Sequence, residues 1–126
     1  MALLFVYGTL KRGFRLHHHM DGARFVATAR TAPGFSLYQL DWYPAMILDP
    51  AGDGVVGELF EAPESLLALL DEIECVPDLY HRREVRIEEQ DGEPVDSHAV
   101  AYVYQQPIAG RRRLDSGEWL NVLAER

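Results

Sequence analysis

The chain begins with an apolar run that stops at a glycine-bounded turn. Residues 3–7, Leu-Leu-Phe-Val-Tyr, show no polar alternation, which is typical of a strand buried on both faces of a sheet. Gly8 permits a tight turn after this strand, and Thr9 follows as a small polar residue. Successive N–H groups in such a turn can bind a carboxylate or an oxyanion. Taken alone, the stretch favours an ordinary strand-to-helix connection, with the anion site as the alternative.

Composition and charge narrow the class of protein. With 126 residues, 48% apolar and 25% charged, the chain is expected to form one globular domain over residues 1–126. The formal net charge of -8 disfavours a nucleic-acid partner, because phosphate contacts need a basic face, and the arginines at 111–113 are interpreted as an exposed loop. No apolar run approaches the ~20 residues of a membrane span. Cys75 is the single cysteine and suits a reducing compartment, so a cytoplasmic protein is expected.

Turn residues divide the rest of the chain into short elements. Strands are predicted at residues 23–30, 35–40, 45–48 and 55–60, with the last two joined as a hairpin through the turn at 49–54. Another pair is predicted at 80–88 and 98–104 around the turn at 91–92. Pro44 is expected to lie outside any central ladder. A turn of helix is predicted at 14–20. A short helix is predicted in the tail, where Ser116 is a candidate cap and Trp119, Leu120 and Leu123 have helical spacing.

The clearest helix begins after Ala62, with Pro63 at its first position, and runs to about Glu74. At about 100° per residue, one continuous apolar arc forms from Leu66, Leu67, Leu69, Leu70 and Ile73. Glu74 falls inside this arc, between Leu70 and Leu67. A carboxylate on the buried side, near the negative end of the helix dipole, is expected to have a raised pKa.

Two structural roles compete with a functional one for Glu74. A frayed last turn would leave the carboxylate in water, and an ion pair with Arg82 or Arg83 would hold it for structural reasons. The functional alternative combines this carboxylate with the backbone-rich loop after the first strand. That combination suits general acid/base catalysis with stabilisation of an oxyanion.

Other chemistries have little support in the sequence. Cys75 has no recognisable catalytic partner and no G-x-S-x-G elbow occurs, so Cys75 is interpreted as a packing residue. His17, His18 and His19 are adjacent and point in different directions, which favours a solvated cluster over a metal site. No glycine-rich phosphate-binding motif is present. Neither a metal nor a nucleotide cofactor is expected.

Several stretches, taken in order, resemble the γ-glutamylcyclotransferase-like family, and its γ-glutamylamine cyclotransferase or AIG2-like branch most. They are FVYGTLKRG at 5–13, GELF at 57–60, LDEIE at 70–74 and YHR at 80–82. The resemblance covers roughly residues 3–104. It implies an α+β fold, a small mixed, barrel-like β-sheet with one main helix and short helices packed around it, and a cavity.

The resemblance also implies a site and a reaction. The loop of Tyr7, Gly8, Thr9 and Leu10 would bind the γ-glutamyl head of a small-molecule substrate through main-chain N–H groups, and Glu74 takes the position of the family's acid/base. The α-amino group of the substrate would attack its own γ-carbonyl, releasing an amine and closing 5-oxoproline. No cofactor is implied.

Two neighbours of Glu74 complete this picture. Tyr80 is expected either to orient the carboxylate or close the pocket, or to be a buried aromatic residue with a satisfied hydroxyl. Cys75 stands where many relatives have glycine, a departure that alters the helix C-cap and leaves the carboxylate in place.

Two other classes of function stay open. One is a module that binds a small acyl-amino ligand in the same cavity without turnover. The other is an interaction protein that uses Trp42 and Tyr43 as an aromatic anchor. No motif specifies the leaving amine or the oligomeric state.

Overall fold

The elements below belong to residues 2–14, 16–40 and 43–119, which a computed structural model describes. Most strand boundaries fall close to those that the sequence pattern predicts. The strands are β1 (Ala2–Val6), β2 (Arg24–Thr31), β3 (Phe35–Gln39), β4 (Pro44–Leu48), β5 (Val56–Ala62), β6 (Tyr80–Gln90), β7 (Glu93–Tyr104) and β8 (Arg112–Arg113); the helix is α1 (Glu64–Ile73), and a 3₁₀ turn spans His17–Met20. No helix in the described part is long and apolar enough to cross a membrane.

Five strands close into a small barrel in the order β1-β5-β2-β6-β7. The barrel is mixed, because β1 pairs antiparallel with β5 and parallel with β7. The long β6 and β7 form an antiparallel hairpin around the predicted turn at residues 91–92. The predicted architecture, a mixed barrel-like sheet with one main helix, is confirmed, and the turn of helix predicted within 14–20 is the 3₁₀ turn at His17–Met20.

A second sheet flanks the barrel, in the order β4-β3-β8. The predicted hairpin between β4 and β5 is wrong: β4 pairs with β3, and β5 lies between β1 and β2. The turn at 49–54 carries the chain from one sheet to the other. Pro44 is the first residue of β4, opposite Gln39, where its missing N–H is tolerated. Arg112 and Arg113 form β8 and are not a loop, although they stay exposed.

Two apolar cores lie on opposite faces of β1, which explains why its sequence does not alternate. Phe5 belongs to the core that the second sheet covers, together with the fully buried Trp119. Leu4 and Val6 belong to the core that α1 covers. Since side chains alternate along a strand, a residue on either face of β1 meets apolar neighbours.

Helix α1 lies on the barrel with a narrower stripe than the sequence predicts. Leu66, Leu67 and Leu70 are buried, whereas Leu69, at the edge of the predicted arc, is 48% exposed. The buried stripe is therefore shifted toward the side on which Glu74 lies. Pro63 precedes the helix as its N-cap with extended backbone, at φ -70° and ψ 154°, and is not the first helical residue.

The segment after β8 is hydrogen-bonded through its backbone to both the barrel and the second sheet. The Val56 N–H donates to the Gly117 carbonyl at 2.8 Å, and the Leu114 N–H donates to the Leu37 carbonyl at 2.8 Å. Ser116 accepts a hydrogen bond from the Glu118 N–H at 3.3 Å within a turn. The predicted tail helix through Leu120 and Leu123 lies outside the described residues, as does Trp42.

Candidate active site

A cavity of about 260 Å³ opens where the end of β1, the end of α1 and the start of β6 meet. All six residues that the sequence analysis assigns to a site line it. The fold therefore brings together two stretches that are more than sixty residues apart in the chain. The lining consists of Phe5, Val6, Tyr7, Gly8, Thr9, Leu10, Leu16, Tyr43, Pro44, Ile73, Glu74, Cys75, Leu79, Tyr80 and Tyr102.

The loop after β1 is a tight turn packed under Pro44. The Lys11 N–H donates to the Gly8 carbonyl at 3.1 Å, and the Leu16 N–H donates to the Thr9 carbonyl at 2.9 Å. A Cβ atom at Gly8 would lie 2.6 Å from Cγ of Pro44, far inside van der Waals contact. Glycine is therefore required here for close approach between the loop and the start of β4.

The same loop leaves backbone donors without a partner. Within the described residues, no oxygen accepts a hydrogen bond from the N–H of Gly8, Thr9 or Leu10. These residues line the cavity and are largely shielded from solvent. Adjacent unpaired N–H groups are suited to bind a carboxylate or an oxyanion.

Two charged side chains anchor this loop from behind. The ammonium group of Lys11 is buried and donates to the Trp119 carbonyl at 2.8 Å. Burial lowers the pKa of Lys11, and the nearby carboxylates of Glu118 and Glu58 oppose that effect. Arg12 donates to Glu58 from both its N–H, at 2.9 Å, and its Nε, at 3.1 Å. The loop is thus tied to β5 and to the C-terminal segment.

Glu74 caps the C-terminal end of α1, and the chain leaves the helix through a Schellman motif. The Val76 N–H donates to the Asp71 carbonyl at 2.9 Å, and the Cys75 N–H donates to the Glu72 carbonyl at 3.2 Å. Cys75 has a left-handed backbone with φ 54°, a position that usually carries glycine. Its thiol is exposed and lines the cavity, so the interpretation of Cys75 as a packing residue is wrong.

The Glu74 side chain lies partly buried in the cavity wall, as the helical spacing predicts. Burial raises the pKa of Glu74 to about 7 from an ordinary 4.5. Within the described residues Glu74 has neither an ion pair nor a side-chain hydrogen bond, and Arg82 pairs with Asp71 at 3.1 Å instead. A carboxyl group that titrates near neutrality is suited to both accept and return a proton.

Three tyrosines surround this carboxylate. Tyr7 donates to the Tyr102 carbonyl at 2.5 Å and accepts from the Met46 N–H at 3.3 Å. Tyr80 donates to the Pro44 carbonyl at 2.9 Å, so its hydroxyl is satisfied by the backbone and does not orient Glu74. Burial raises the pKa of all three tyrosines, so they remain neutral at physiological pH.

Tyr102 and the apolar walls of the cavity are not predicted from the sequence. Tyr102 lies directly opposite Arg82 in the β6–β7 ladder, and this arginine belongs to the YHR stretch of the family resemblance. That pairing could have been a signal, but only once the register between the two strands was known. Leu16 and Leu79 carry no signal, because both are ordinary apolar residues beside turns.

The histidines do not form a metal site in this structure. Nδ1 of His17 lies 2.9 Å from the Leu10 carbonyl, and the rings of His18 and His19 contact each other. Across the described part of the chain, no three His, Cys, Asp or Glu side chains gather as potential metal ligands. The His17 side chain therefore contacts the backbone of the loop after β1 at Leu10.

In the part of the chain that the structure describes, a mixed barrel carries one α-helix, and the end of this helix faces a glycine-containing loop across the cavity. The chain matches the family described as γ-glutamyl cyclotransferase, AIG2-like, over residues 4–121. It belongs to this family.

Curated and solved relatives agree with the assignment. The chain is 35% identical to a γ-glutamylaminecyclotransferase of Mus musculus over 118 residues, covering 82% of this chain and 77% of that protein. It is 30% identical to the γ-glutamylcyclotransferase family protein YtfP of Escherichia coli over 118 residues, covering 94% and 96%. The crystal structure of an AIG2-like protein from Mus musculus superposes with a TM-score of 0.79 at 27% identity, covering 91% of this chain and 86% of that one.

Proposed function

We propose that this protein is a cyclotransferase that converts a γ-glutamyl amine or γ-glutamyl peptide into 5-oxoproline and a free amine. The observation that carries the proposal is the position of Glu74. Its carboxyl group, with a pKa of about 7, lines the same cavity as the unpaired N–H groups of Gly8, Thr9 and Leu10. One group can move protons while the others bind negative charge.

The loop would hold the γ-glutamyl head of the substrate. Its unpaired N–H groups have the chemistry to bind either the α-carboxylate or the γ-carbonyl oxygen, on which negative charge develops during attack. Tyr7 and Tyr80 would form neutral walls, since their hydroxyls donate to backbone carbonyls. Apolar side chains such as Leu10, Leu16 and Leu79 line the cavity, and a low dielectric constant strengthens such interactions.

The reaction needs little beyond positioning and proton transfer. A bond forms between the α-amino nitrogen and the γ-carbonyl carbon, and the bond from that carbon to the leaving nitrogen breaks. Ionised Glu74 accepts a proton from the attacking amine and returns one to the leaving nitrogen. Because the nucleophile is tethered, effective molarities of ~10⁵ M or more are available to a well-oriented substrate.

Turnover of defined γ-glutamyl compounds tests the proposal. The protein is incubated with γ-glutamyl-ε-lysine and other γ-glutamyl amines, and 5-oxoproline is measured by mass spectrometry. Glu74→Gln keeps the shape of the side chain and removes the titratable group, so the rate is expected to fall by about 10²- to 10⁴-fold. Glu72→Gln, the same change at an exposed position of α1, is expected to retain the activity.

Two outcomes would contradict the proposal. Equal 5-oxoproline release by folded wild type and Glu74→Gln would remove Glu74 from the mechanism. Thermal stabilisation by γ-glutamyl compounds with no product would instead support the binding module, which uses the same cavity without turnover.

A further inference from the structure

Tyr102 touches both halves of the site through different atoms. Its backbone carbonyl accepts a hydrogen bond from the hydroxyl of Tyr7 at 2.5 Å, at the start of the loop after β1. Its own hydroxyl donates to Oδ1 of Asp71 at 2.8 Å, and the carbonyl oxygen of Leu67 lies 3.3 Å away. One residue of β7 therefore contacts the end of β1 and the last turns of α1.

Asp71 is hydrogen-bonded both to Tyr102 and to the turn that follows Glu74. The Asp71 side chain accepts from Tyr102 and from Nε of Arg82, the latter at 3.1 Å. The Asp71 backbone carbonyl accepts the Val76 N–H that closes the Schellman motif around Glu74. The last turn of α1 is thus held on the barrel at Asp71, three positions before Glu74.

We call the contacts of Tyr102 and Arg82 with Asp71 the clamp, and its barrel side consists of Tyr102 and Arg82. Tyr102 and Arg82 are directly opposite in the β6–β7 register, so their side chains share one face of the sheet. Both converge on the same oxygen, Oδ1 of Asp71. Arg82 also lies 3.9 Å from Glu64 at the start of the helix, which adds a weak contact at the other end of α1.

We propose that Tyr102 is a positioning residue of the site: acting through Asp71, its hydroxyl sets the position of Glu74 relative to the loop that Tyr7 begins. This inference rests on the proposed function for its catalytic consequence, but not for its structural one. If the clamp is lost, the end of α1 moves and Glu74 becomes more exposed to water. Other titratable groups facing Glu74 are the hydroxyls of Tyr7 and Tyr80, and Cys75 is adjacent.

Tyr102→Phe removes the hydroxyl and keeps the ring and the backbone carbonyl. We expect kcat to fall by about 10- to 100-fold with little change in KM, because a small displacement of a catalytic group has effects of this size. The matched control is Tyr104→Phe on the same strand, whose hydroxyl has no hydrogen-bond partner among the described residues. It is expected to retain wild-type kcat.

A titration of Glu74 separates positioning from mere stability. In ¹³C-labelled protein, the carboxyl resonance of Glu74 is followed against pH by NMR in wild type and both variants. Relative to a wild-type pKa of about 7, Tyr102→Phe is expected to shift the midpoint down toward 4.5, and Tyr104→Phe is expected to leave it unchanged. Loss of stability in Tyr102→Phe with an unchanged Glu74 titration would overturn the proposal.

A double variant tests the route through Asp71. If Tyr102 acts through that carboxylate, Tyr102→Phe combined with Asp71→Asn is no slower than the slower single variant. Multiplicative losses would show independent effects and contradict the proposal. If Tyr102→Phe does not fold, Arg82→Met loosens the same clamp, with Arg86→Met as its control at the exposed Arg86–Asp96 pair.

The titration is also informative if the enzyme assay fails. A wild type that makes no 5-oxoproline would contradict the proposed function alone. The Glu74 midpoint in Tyr102→Phe would still show whether Tyr102 positions the carboxylate.

Discussion

The two halves of the candidate site are built in different ways. The loop half presents backbone N–H groups of Gly8, Thr9 and Leu10, and the buried side chains of Lys11 and Glu58 hold it from behind. The helix half presents one side chain, Glu74, whose pKa is raised to about 7 by burial. The loop presents atoms that every residue has, whereas the helix end presents one carboxylate.

This difference predicts where each half is sensitive to mutation. In the loop, a substitution matters when it moves the backbone, and Gly8 is the position at which space is smallest. At the helix end, the chemical group matters first and its position second. A substitution at Gly8 is therefore expected to disrupt the site for a steric reason, and one at Glu74 for an electrostatic reason.

Gly8→Ala is expected to have the largest effect in the loop half. The new Cβ would lie 2.6 Å from Cγ and 2.8 Å from Cδ of Pro44, so the loop must shift. Overpacking of this kind costs about 1–3 kcal/mol of stability, and displacement of the N–H groups should reduce kcat/KM by about 100-fold. Urea unfolding and the 5-oxoproline assay measure the two losses.

Pro44→Ala supplies the control for that change. It removes Cγ and Cδ and keeps the carbonyl that accepts from Tyr80. Combined with Gly8→Ala, it is expected to restore part of the stability and activity. A double variant as impaired as the sum of the two singles would show that the clash with Pro44 is not the cause.

The pH dependence of stability tests the helix half. Between pH 4.5 and about 7 the folded protein binds the Glu74 proton more tightly than the unfolded chain, so stability falls as pH rises through this window. The largest loss of folding free energy from ionising Glu74 is about 3 kcal/mol. Glu74→Gln has no carboxyl group to ionise and does not lose this stability. Its free energy of unfolding relative to wild type should therefore be higher at pH 8 than at pH 5, while the variant remains inactive.

Denaturant unfolding of both proteins at the two pH values measures this difference. Glu72→Gln serves again as the exposed control. A difference between wild type and Glu74→Gln that is independent of pH would show that burial of the carboxylate is not costly. The kcat of wild type should rise with pH through about 7, as Glu74 becomes ionised.

Cys75→Gly is expected to have the smallest effect, and a favourable one. Cys75 has φ 54°, and the left-handed backbone costs an L-residue about 1–2 kcal/mol that glycine avoids. The gain should be about 1 kcal/mol after the larger chain entropy of glycine is subtracted. Cys75→Ala keeps the strained backbone and should show no gain in the same unfolding measurement. Equal stability of the Gly and Ala variants would contradict this account.

Much of the local structure could be predicted from the sequence. The apolar run of β1 and the turn at residues 91–92 are local patterns, and the structure places both where those patterns predict. Glu74 could be singled out because a carboxylate inside an apolar arc breaks a periodicity of 3.6 residues. Leu69 belongs to the same predicted arc but is exposed, because periodicity gives the direction of a side chain and not the width of the contact.

The errors concern partners that are distant in the chain. β5 pairs with β1 and β2 and not with β4. Leu59 packs into one core and Phe60 into the other, as is typical of a strand at the centre of a sheet. Tyr102 was missed, because its role depends on a register opposite Arg82 that no local pattern contains. Trp119 packs on the sheets as expected, in a core that the barrel and second sheet share, and the predicted helix after it lies outside the described residues.

The sequence by itself determined which short segments are strands, where the helix begins and ends, and that one carboxylate lies on a buried side. These properties depend on the spacing of residues within a few turns or a single strand. Only the tertiary structure decided that the loop after β1 and the end of α1 face one cavity, and that Tyr102 connects them. Closure of the barrel through β1 and β7 is a long-range pairing, and its register sets which side chains meet.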